Sequence, residues 1–325
     1  MENMEKASSD NVKVTLLMVT YNQEDYIEEA ISAVLCQDYP SVEVIISDDC
    51  STDGTYLRAK SMVEAYQGPF EITLRCNDKN LGLIEHVNVA MRLGSGELVV
   101  LAAGDDISFS SRVSRLVEAY LANDRPMLLC SKAKTIDQNG NVLGGEAPDV
   151  EIQSVPSVEK ALFSTSIYLG ASGAWSRELI STFGSINYRG TYEDLVMGFR
   201  AALCRSAVYV DEALLYYRVN VGISSQASML NGADKIAQRI ARLEFERDTF
   251  SQRRDDLRKH RDRVGFGVAK LIAKIEKRCA RLNVRVNFYR KPGLLVLDFF
   301  RRPMALVSGV SAEWKFLRAI KLEGL

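Results

Sequence analysis

Residues 45–55, with the sequence IISDDCSTDGT, end an apolar run with two adjacent aspartates and continue into a polar turn. Residues 98–108, LVVLAAGDDIS, repeat this arrangement farther along the chain. Adjacent carboxylates repel each other, so either a turn or a bound ligand has to accommodate each pair. The four carboxylates in question are those of Asp48, Asp49, Asp105 and Asp106.

Around these two segments, short apolar runs alternate with stretches of helical periodicity. Four runs are typical of strands, at residues 12–19, 42–47, 71–76 and 97–103, and the first of them is typical of a buried strand. Three segments are typical of amphipathic helices, at residues 23–37, 51–66 and 82–94. The alternation predicts an α/β fold with a Rossmann-like, mostly parallel sheet flanked by helices. Ligands bind such sheets beyond the carboxyl ends of the strands, where both aspartate pairs and Tyr21 fall.

Charge is distributed unevenly along the 325 residues, although the net charge is only −1. Residues 1–226 carry 18 basic and 31 acidic side chains, whereas residues 227–325 carry 23 basic and 11 acidic ones. The overall balance does not indicate a nucleic-acid partner. The basic C-terminal part is expected to lie near anions such as membrane headgroups or phosphorylated partners.

The sequence predicts a cytoplasmic protein. No apolar stretch reaches the ~18 residues of a transmembrane helix, and the polar start lacks the plan of a secretory signal. Six scattered cysteines without a CxxC motif favour free thiols in a reducing compartment over a disulfide framework. Together with the basic C-terminal part, this predicts peripheral contact with the inner face of the plasma membrane.

The acidic crevice calls for a divalent cation if it holds a phosphorylated ligand. There is no GxGxxG after the first predicted strand and no GxxxxGK[ST] anywhere, so backbone cradling of phosphates is unsupported. The only two histidines, His86 and His260, are far apart in the sequence, which excludes a multi-histidine metal site. Mg²⁺ or Mn²⁺ binds one or two carboxylates and completes its shell with phosphate oxygens and water.

These features resemble family 2 glycosyltransferases, which are inverting enzymes of the GT-A fold. The resemblance lies in VTLLMVTYNQEDYIEEAISAVLCQDYPSVEVIISDDCSTDGT and in NLGLIEHVNVAMRLGSGELVVLAAGDD, and together it covers roughly residues 12–110. Several motifs agree in order and spacing, which makes the match more specific than one short pattern.

The resemblance implies a role for each residue that matches a family motif. Tyr21 corresponds to the position beside the nucleobase, and Asp49 to the aspartate that accepts a hydrogen bond from the base imide, which favours uracil or thymine. Asp105 corresponds to the residue near the ribose, and Asp106 to the metal ligand.

Two later segments extend the resemblance. TYEDLVMGFRAA, residues 191–202, is similar to the family's "ED" segment, which makes Asp194 the general base and Glu193 a support for the acceptor or a capping group. YYRVNVGISS, residues 216–225, is similar to a late family motif and implies that Arg218 meets the diphosphate. The histidine that is common near this position in the family is absent here.

The predicted organisation is a GT-A domain at residues 1–225 and a basic, helical C-terminal extension at residues 226–325. Three accounts of the extension stay open: a solvated basic face, docking on an anionic membrane, and a helix seam that forms a homo-oligomer. The seam is suggested by apolar residues at seven-residue intervals, namely Ile236, Leu243, Phe250, Leu257, Val264 and Leu271.

The predicted function is transfer of a sugar from a UDP- or dTDP-sugar to a hydroxyl of a glycan or lipid-linked glycan acceptor. The setting is surface-polysaccharide synthesis, and one displacement inverts the anomeric carbon. An alternative from another class is a nucleotide-sugar-binding partner without catalysis in a glycan-assembly complex. A nucleotidyltransferase is a weaker alternative, because the segment TYNQED is not the glycine-rich, basic loop that such an enzyme needs.

Overall fold

A computed structural model describes residues 11–147, 156–221 and 235–323. The last four residues of YYRVNVGISS and the predicted boundary between residues 225 and 226 lie outside the described residues. The described strands are β1 (Val14–Thr20), β2 (Val42–Asp48), β3 (Glu71–Cys76), β4 (Leu98–Ala103), β5 (Ile107–Ser108), β6 (Leu128–Ile136), β7 (Val142–Ala147), β8 (Ala174–Ser176) and β9 (Ala207–Arg218).

The described helices flank this sheet and then extend beyond it. They are α1 (Ile27–Leu35), α2 (Thr55–Ala65), α3 (Leu83–Ala90), α4 (Arg112–Ala122), α5 (Val158–Phe163), α6 (Arg177–Phe183), α7 (Glu193–Cys204), α8 (Lys235–Lys259), α9 (Val268–Arg290), α10 (Leu295–Arg301) and α11 (Pro303–Glu323). All four predicted strands and all three predicted helices of the N-terminal part are present. The helices are shorter than predicted, because polar turn residues occupy several of their predicted first and last turns.

The described strands form one sheet in the order β3-β2-β1-β4-β8-β6-β9-β5, with β7 paired to β6. Strands β1 to β4 pair in parallel, as predicted. The rest of the sheet is mixed, since β8 is antiparallel to both β4 and β6, whereas β6 and β9 are parallel. Strands β6 and β7 form an antiparallel hairpin that turns around Asn139 and Gly140. The sheet is therefore parallel where the sequence alternates regularly between strand and helix, and mixed beyond it.

Two apolar cores lie on the two faces of the sheet because β1, β2 and β4 alternate their buried side chains. Leu17, Val99 and Leu101 belong to one core, and Leu16, Met18 and Val100 belong to the other. Strands that are buried on both faces are near-continuous apolar runs, which is why the sequence indicated them clearly.

The C-terminal helix α8 shares the first of these cores. Leu243, Phe250 and Leu257 are at most 3% exposed and belong to the same apolar cluster as residues of α7. A buried ion pair reinforces this contact: Arg200 Nε of α7 donates to Asp256 Oδ2 of α8 at 2.8 Å. At these three positions, the residues spaced seven apart thus pack within the same chain, against the core that contains α7.

Of the remaining three positions of the predicted seam, Ile236 lies in the first turn of α8 and is 40% exposed, and the other two fall beyond α8. Val264 lies in the connection between α8 and α9, and Leu271 packs beside the same core from α9. A continuous helical seam is therefore not formed, because the repeat is interrupted by a turn that contains Gly265 and Gly267 at positive φ.

Helix α11 is fastened to α8 and α9 by a buried carboxylate. Glu313 is 0% exposed, and its oxygens accept hydrogen bonds from Arg239, Arg285 and Tyr289. Among the helices that the structure describes, none has both the length and the hydropathy to cross a membrane.

Candidate active site

The carboxyl ends of the parallel strands open onto a cavity with a volume of about 370 Å³. Five of the six predicted site residues line it, from loops after β1, β2 and β4 and from the start of α7; these are Tyr21, Asp49, Asp105, Asp106 and Asp194. Side chains separated by up to 173 positions are thus brought together, and the predicted shared pocket is present. The parallel sheet does this because its strand ends meet along one edge.

Asp49 is held by three donors from the loop after β3. Its Oδ1 accepts from Asn77 Nδ2 at 2.7 Å and from the Leu81 N–H at 2.9 Å, and its Oδ2 accepts from the Gly82 N–H at 2.9 Å. A carboxylate has about four lone-pair sites, so one on Oδ2 is left for a ligand donor. Asp49 therefore both organises this loop and offers an acceptor to the cavity.

Asp48, the neighbour of Asp49, has a different role. It is fully buried, and its Oδ2 accepts from the Ser51 N–H at 2.8 Å. The side chain closes the turn that follows β2 and is not among the described residues that line the cavity. The first aspartate pair thus divides its functions between a turn and the cavity.

Tyr21 lines the cavity from the loop after β1. The next residue, Asn22, has a φ of 50°, and its side-chain Oδ1 accepts from the Thr52 N–H at 2.8 Å. Its own N–H donates to Ser51 Oγ at 2.9 Å. These two bonds join the loop after β1 to the loop after β2 and fix where the Tyr21 side chain starts.

The second aspartate pair is buried beside the cavity. Burial raises the pKa of Asp105 to about 6. Burial, and then the charge of Asp105, raise the pKa of Asp106 well above its ordinary value. Gly104 allows the aspartate loop to lie close to Thr20 and Gln23, since a Cβ there would lie 2.6 Å from both Thr20 Oγ1 and Gln23 Oε1. Ionisation of both carboxyls therefore has an energetic cost, which a cation would relieve.

The donor set fits a divalent ion that is shared with a substrate. In the part of the chain that the structure describes, no group of three or more His, Cys, Asp or Glu side chains is placed to enclose a metal. Asp106, the predicted metal ligand, would supply part of a shell and leave the rest to phosphate oxygens and water, which is the arrangement that Mg²⁺ accepts. Asp106 has one oxygen engaged already, because its Oδ1 accepts from the Arg218 N–H at 2.8 Å.

Arg218 lies beneath the aspartate loop. Its Nε donates to the Asp105 carbonyl at 2.9 Å, its Nη1 to the Asp137 carbonyl at 3.0 Å, and its Nη2 to Glu29 Oε2 at 2.8 Å. It is not among the described residues that line the cavity. Its predicted contact with a diphosphate stays a prediction, and it would require the guanidinium to leave at least one of these partners.

Glu193 and Asp194 form a second acidic pair at the first turn of α7. Burial, and then the charge of Glu193, raise the pKa of Asp194 to about 8, while its Oδ1 accepts from the Leu195 N–H at 2.6 Å. Burial also raises the pKa of Glu193. Its Oε2 is buried and has no hydrogen-bond partner among the described residues. A carboxyl with a pKa near neutrality beside a cavity is suited to proton transfer.

The surroundings of this pair come from two distant segments. Gly170 lies so close that an added Cβ would be 2.8 Å from Glu193 Oε1. Arg253 of α8 is fully buried and donates to the carbonyls of Leu195 at 2.8 Å and Ser164 at 2.6 Å. Its positive charge acts to lower the pKa of Asp194, against the effect of burial. The helical extension therefore contributes to the electrostatics of the candidate base.

Sequence reasoning missed some residues of the site. His86 lines the cavity from α3, where its Nε2 lies 2.8 Å from Ser47 Oγ, and burial lowers its pKa. A single histidine within a helical segment carries no sequence signal for a cavity wall. No sequence pattern predicts the role of Arg253 either, because only the packing of α8 brings it near Asp194.

Residues 15–161 match the family model for glycosyl transferase family 2. Relatives include the poly(ribitol-phosphate) β-N-acetylglucosaminyltransferase TarS of Staphylococcus aureus (strain Mu50), which is 28% identical over 147 residues, 43% of this chain and 25% of TarS. The UDP-Glc:α-D-GlcNAc-diphosphoundecaprenol β-1,3-glucosyltransferase WfgD of Escherichia coli is 28% identical over 115 residues, 35% of this chain and 44% of WfgD. The chain spans less than half the length of the curated relatives it matches.

Two solved structures share the fold. The crystal structure of S. aureus TarS residues 1–349 with UDP has a TM-score of 0.57 at 19% identity and covers 87% of this chain and 75% of that chain. The mannosyltransferase PcManGT from Pyrobaculum calidifontis, in complex with GDP-Man and Mn²⁺, has a TM-score of 0.53 at 17% identity and covers 96% of this chain and 87% of that chain. These likenesses establish the predicted GT-A fold, and the similarity to glycosyl transferase family 2 covers residues 15–161.

Proposed function

We propose that this protein transfers a sugar from a UDP- or dTDP-sugar to a hydroxyl group of a glycan, with inversion at the anomeric carbon and with Mg²⁺ or Mn²⁺. The observation that carries the proposal is one cavity lined by Asp49, Asp106 and Asp194, which come from three separate segments. A chain that only bound nucleotide-sugars would have no need of a carboxyl with a raised pKa at this cavity.

Asp49 would select the nucleobase through its remaining acceptor site on Oδ2. Uracil and thymine carry an imide N–H that can donate there, whereas cytosine carries an acceptor at that ring position and would leave both groups unpaired. Tyr21 lines the same cavity and offers an aromatic face to the base. The fixed donors from the loop after β3 hold the carboxylate in place for this contact.

Asp106 would hold the cation together with the donor diphosphate, and Asp105 would lie near the ribose. When bound, such an ion neutralises charge that develops on the leaving diphosphate. Burial of the two carboxylates strengthens their interaction with a cation, because the local dielectric is low. The chain supplies few other cationic groups at the cavity, since the described residues that line it include no lysine or arginine.

Asp194 would act as the general base. The acceptor hydroxyl oxygen forms a bond to the anomeric carbon, the bond from that carbon to the diphosphate oxygen breaks, and the hydroxyl proton passes to an Asp194 oxygen. One displacement of this kind inverts the anomeric centre. The unpartnered Glu193 Oε2 is available to a sugar hydroxyl beside it.

The acceptor would be a lipid-linked glycan at the inner face of the membrane. WfgD is named for an acceptor that is linked to diphosphoundecaprenol, and TarS for a poly(ribitol-phosphate) polymer. The basic C-terminal part supports placement near an anionic surface, with 23 basic and 11 acidic residues in residues 227–325.

A nucleotide panel tests the proposal. Thermal unfolding of the full chain with Mn²⁺ should show stabilisation by UDP and dTDP and little by CDP, by about 2.7 kcal/mol at a hundredfold excess over Kd. Nucleoside diphosphate release from the matching donor should then be abolished by Asp194→Asn, with nucleotide binding retained. Asp106→Ala should impair both, and Asp38→Asn, an exposed control, neither.

Two results would separate the alternatives. Unchanged transfer by Asp194→Asn would overturn the base assignment. Nucleotide-sugar binding without any turnover, for every donor and acceptor mixture tried, would favour the alternative of a binding partner in an assembly complex.

A further inference from the structure

Large apolar side chains are exposed along one short part of the C-terminal extension. Phe299, Phe300 and Met304 are 60%, 77% and 79% exposed. The other exposed apolar side chains of residues 294–307 are Leu294, Val296, Leu297 and Val307. Residues 11–147 and 156–221 together contain only four such side chains, so this concentration is not the ordinary scatter of apolar groups over a surface.

These side chains lie on one side of α10 and on one side of α11. In α10 they occupy four positions, 296, 297, 299 and 300, which lie side by side on a helical surface, while Leu295 and Asp298 on the other side are half-buried. In α11 Met304 and Val307 are three positions apart, and Trp314, which is 55% exposed, follows seven positions after Val307 on the same side. Each of the two helices thus carries exposed apolar groups on one side.

Basic side chains border these apolar groups. Lys291, Arg301 and Arg302 are exposed, and within the described residues none of them makes an ion pair. Residues 291–318 contain five basic and two acidic side chains. One of the acidic ones, Glu313, is buried and bound by two arginines, so it does not offset the surface charge. An apolar face bordered by cations is complementary to an anionic lipid surface.

We propose that α10 and the first half of α11, termed here the docking surface (residues 291–314), bind an anionic membrane. The apolar side chains enter the boundary between headgroups and acyl chains, and the bordering Lys and Arg side chains contact lipid phosphates. The contact is interfacial rather than spanning, since α10 has seven residues and α11 is not apolar enough to cross a bilayer.

The docking surface is joined to the candidate base by a short chain of contacts. Arg290, at the end of α9 and directly before the docking surface, pairs with Glu244 of α8 at 2.9 Å. Five positions farther along α8, Thr249 lies 2.8 Å from Thr191, which is three residues before Asp194. Membrane docking through this surface would hold the base-bearing segment near the lipid phase, where a lipid-linked acceptor resides.

Vesicle binding by the full chain, without any sugar donor, tests the proposal separately from the reaction. Vesicles that contain phosphatidylglycerol should bind the protein, vesicles of phosphatidylcholine alone should bind it weakly, and high salt should reduce the difference. Phe299→Ala with Phe300→Ala should lower the partition coefficient at least about tenfold. Arg301→Gln with Arg302→Gln should lower it about 25-fold on the anionic vesicles.

Matched controls lie at the opposite end of α9, about 33 Å away by the helical rise. Phe266 is a fully exposed phenylalanine, and Phe266→Ala should leave vesicle binding unchanged. Lys259→Gln with Arg261→Gln removes the same charge as the arginine pair and should have an effect of less than about threefold. Unfolding temperatures of all variants should match the wild type, since the substituted side chains are exposed.

Two outcomes would overturn the proposal. One is equal vesicle binding by the wild type and the phenylalanine variant. The other is the lack of binding to any vesicle combined with a dimer in solution that the phenylalanine variant dissociates, because the surface would then bind a second copy of this chain.

Discussion

The pH dependence of transfer is the most direct test of the chemistry at Asp194. Burial and the neighbouring Glu193 raise the pKa of Asp194 to about 8, and a general base works only when it is deprotonated. Activity should therefore be low below this pKa and should rise as the pH passes through it. We therefore expect kcat/KM to increase between about pH 6 and about pH 8.5 and then to reach a plateau.

The magnitude follows from the position of the pKa. With a pKa of about 8, the deprotonated fraction of Asp194 is about one tenth at pH 7 and about one hundredth at pH 6. Below the midpoint, kcat/KM should thus fall about tenfold for each pH unit. An ordinary, exposed aspartate with a pKa near 3.9 would give a flat profile over the same range.

Glu193→Gln is the perturbation that isolates the electrostatic cause. It removes a neighbouring negative charge and keeps the shape of the side chain, so the pKa of Asp194 should fall by about one unit or more. The variant should then be relatively more active at low pH. Glu178→Gln, an exposed substitution on α6, should leave the midpoint unchanged.

The assay is release of the nucleoside diphosphate at saturating Mg²⁺, with the acceptor and the best donor of the nucleotide panel, for the wild type and both variants. A flat wild-type profile would refute the assignment of Asp194 as a buried base. A midpoint that moves upward in Glu193→Gln would refute the electrostatic reasoning, because removal of a negative charge cannot raise the pKa of a carboxyl.

Two further predictions concern the elements that support this site. Asp256→Ala removes the carboxylate that pairs with the buried guanidinium of Arg200 and should lower the free energy of unfolding by about 3–5 kcal/mol. Asp255→Ala removes a carboxylate that is 40% exposed and should cost less than about 1 kcal/mol. Denaturant unfolding measures both losses, and equal small losses would show that α8 is not integral to the core. Gly170→Ala places a Cβ 2.8 Å from Glu193 Oε1 and should lower kcat about tenfold to hundredfold with nucleotide binding retained. Gly144→Ala, where nothing lies within 4 Å of the added Cβ, should change neither quantity, and a Gly170→Ala enzyme with full kcat would contradict the proposed close fit.

The parallel half of the sheet was readable from the sequence because three of its four strands, β1, β2 and β4, are buried on both faces. Segments such as residues 42–47 and 97–103 are continuous apolar runs bounded by polar turns, and their amphipathic helices lie between them. The two shortest strands of the mixed half were not readable. Strand β8 has three residues, and β5 has two, which is too short for any periodicity to register.

The predicted site residues followed from position at strand ends and from family motifs, and the cavity does join five of them. Arg218 is the predicted site residue that does not line the cavity. The late motif predicts that it contacts a diphosphate, whereas in the structure its guanidinium donates to backbone carbonyls and to Glu29. A motif records which residue stands at a position, whereas the direction of its side chain depends on which partners the packing places within reach.

The sequence by itself determined the alternation of strands and helices, the convergence of acidic loops at one sheet edge and the cationic character of the C-terminal part, since these depend on local pattern and composition. Only the tertiary structure decided that Asp48 closes a turn while Asp49 faces the cavity, that α8 supplies Arg253 behind Asp194, and that the apolar groups of α10 remain exposed. The physical reason is that burial, pKa and exposure depend on distances between residues that are remote in the chain, and no local pattern encodes those distances.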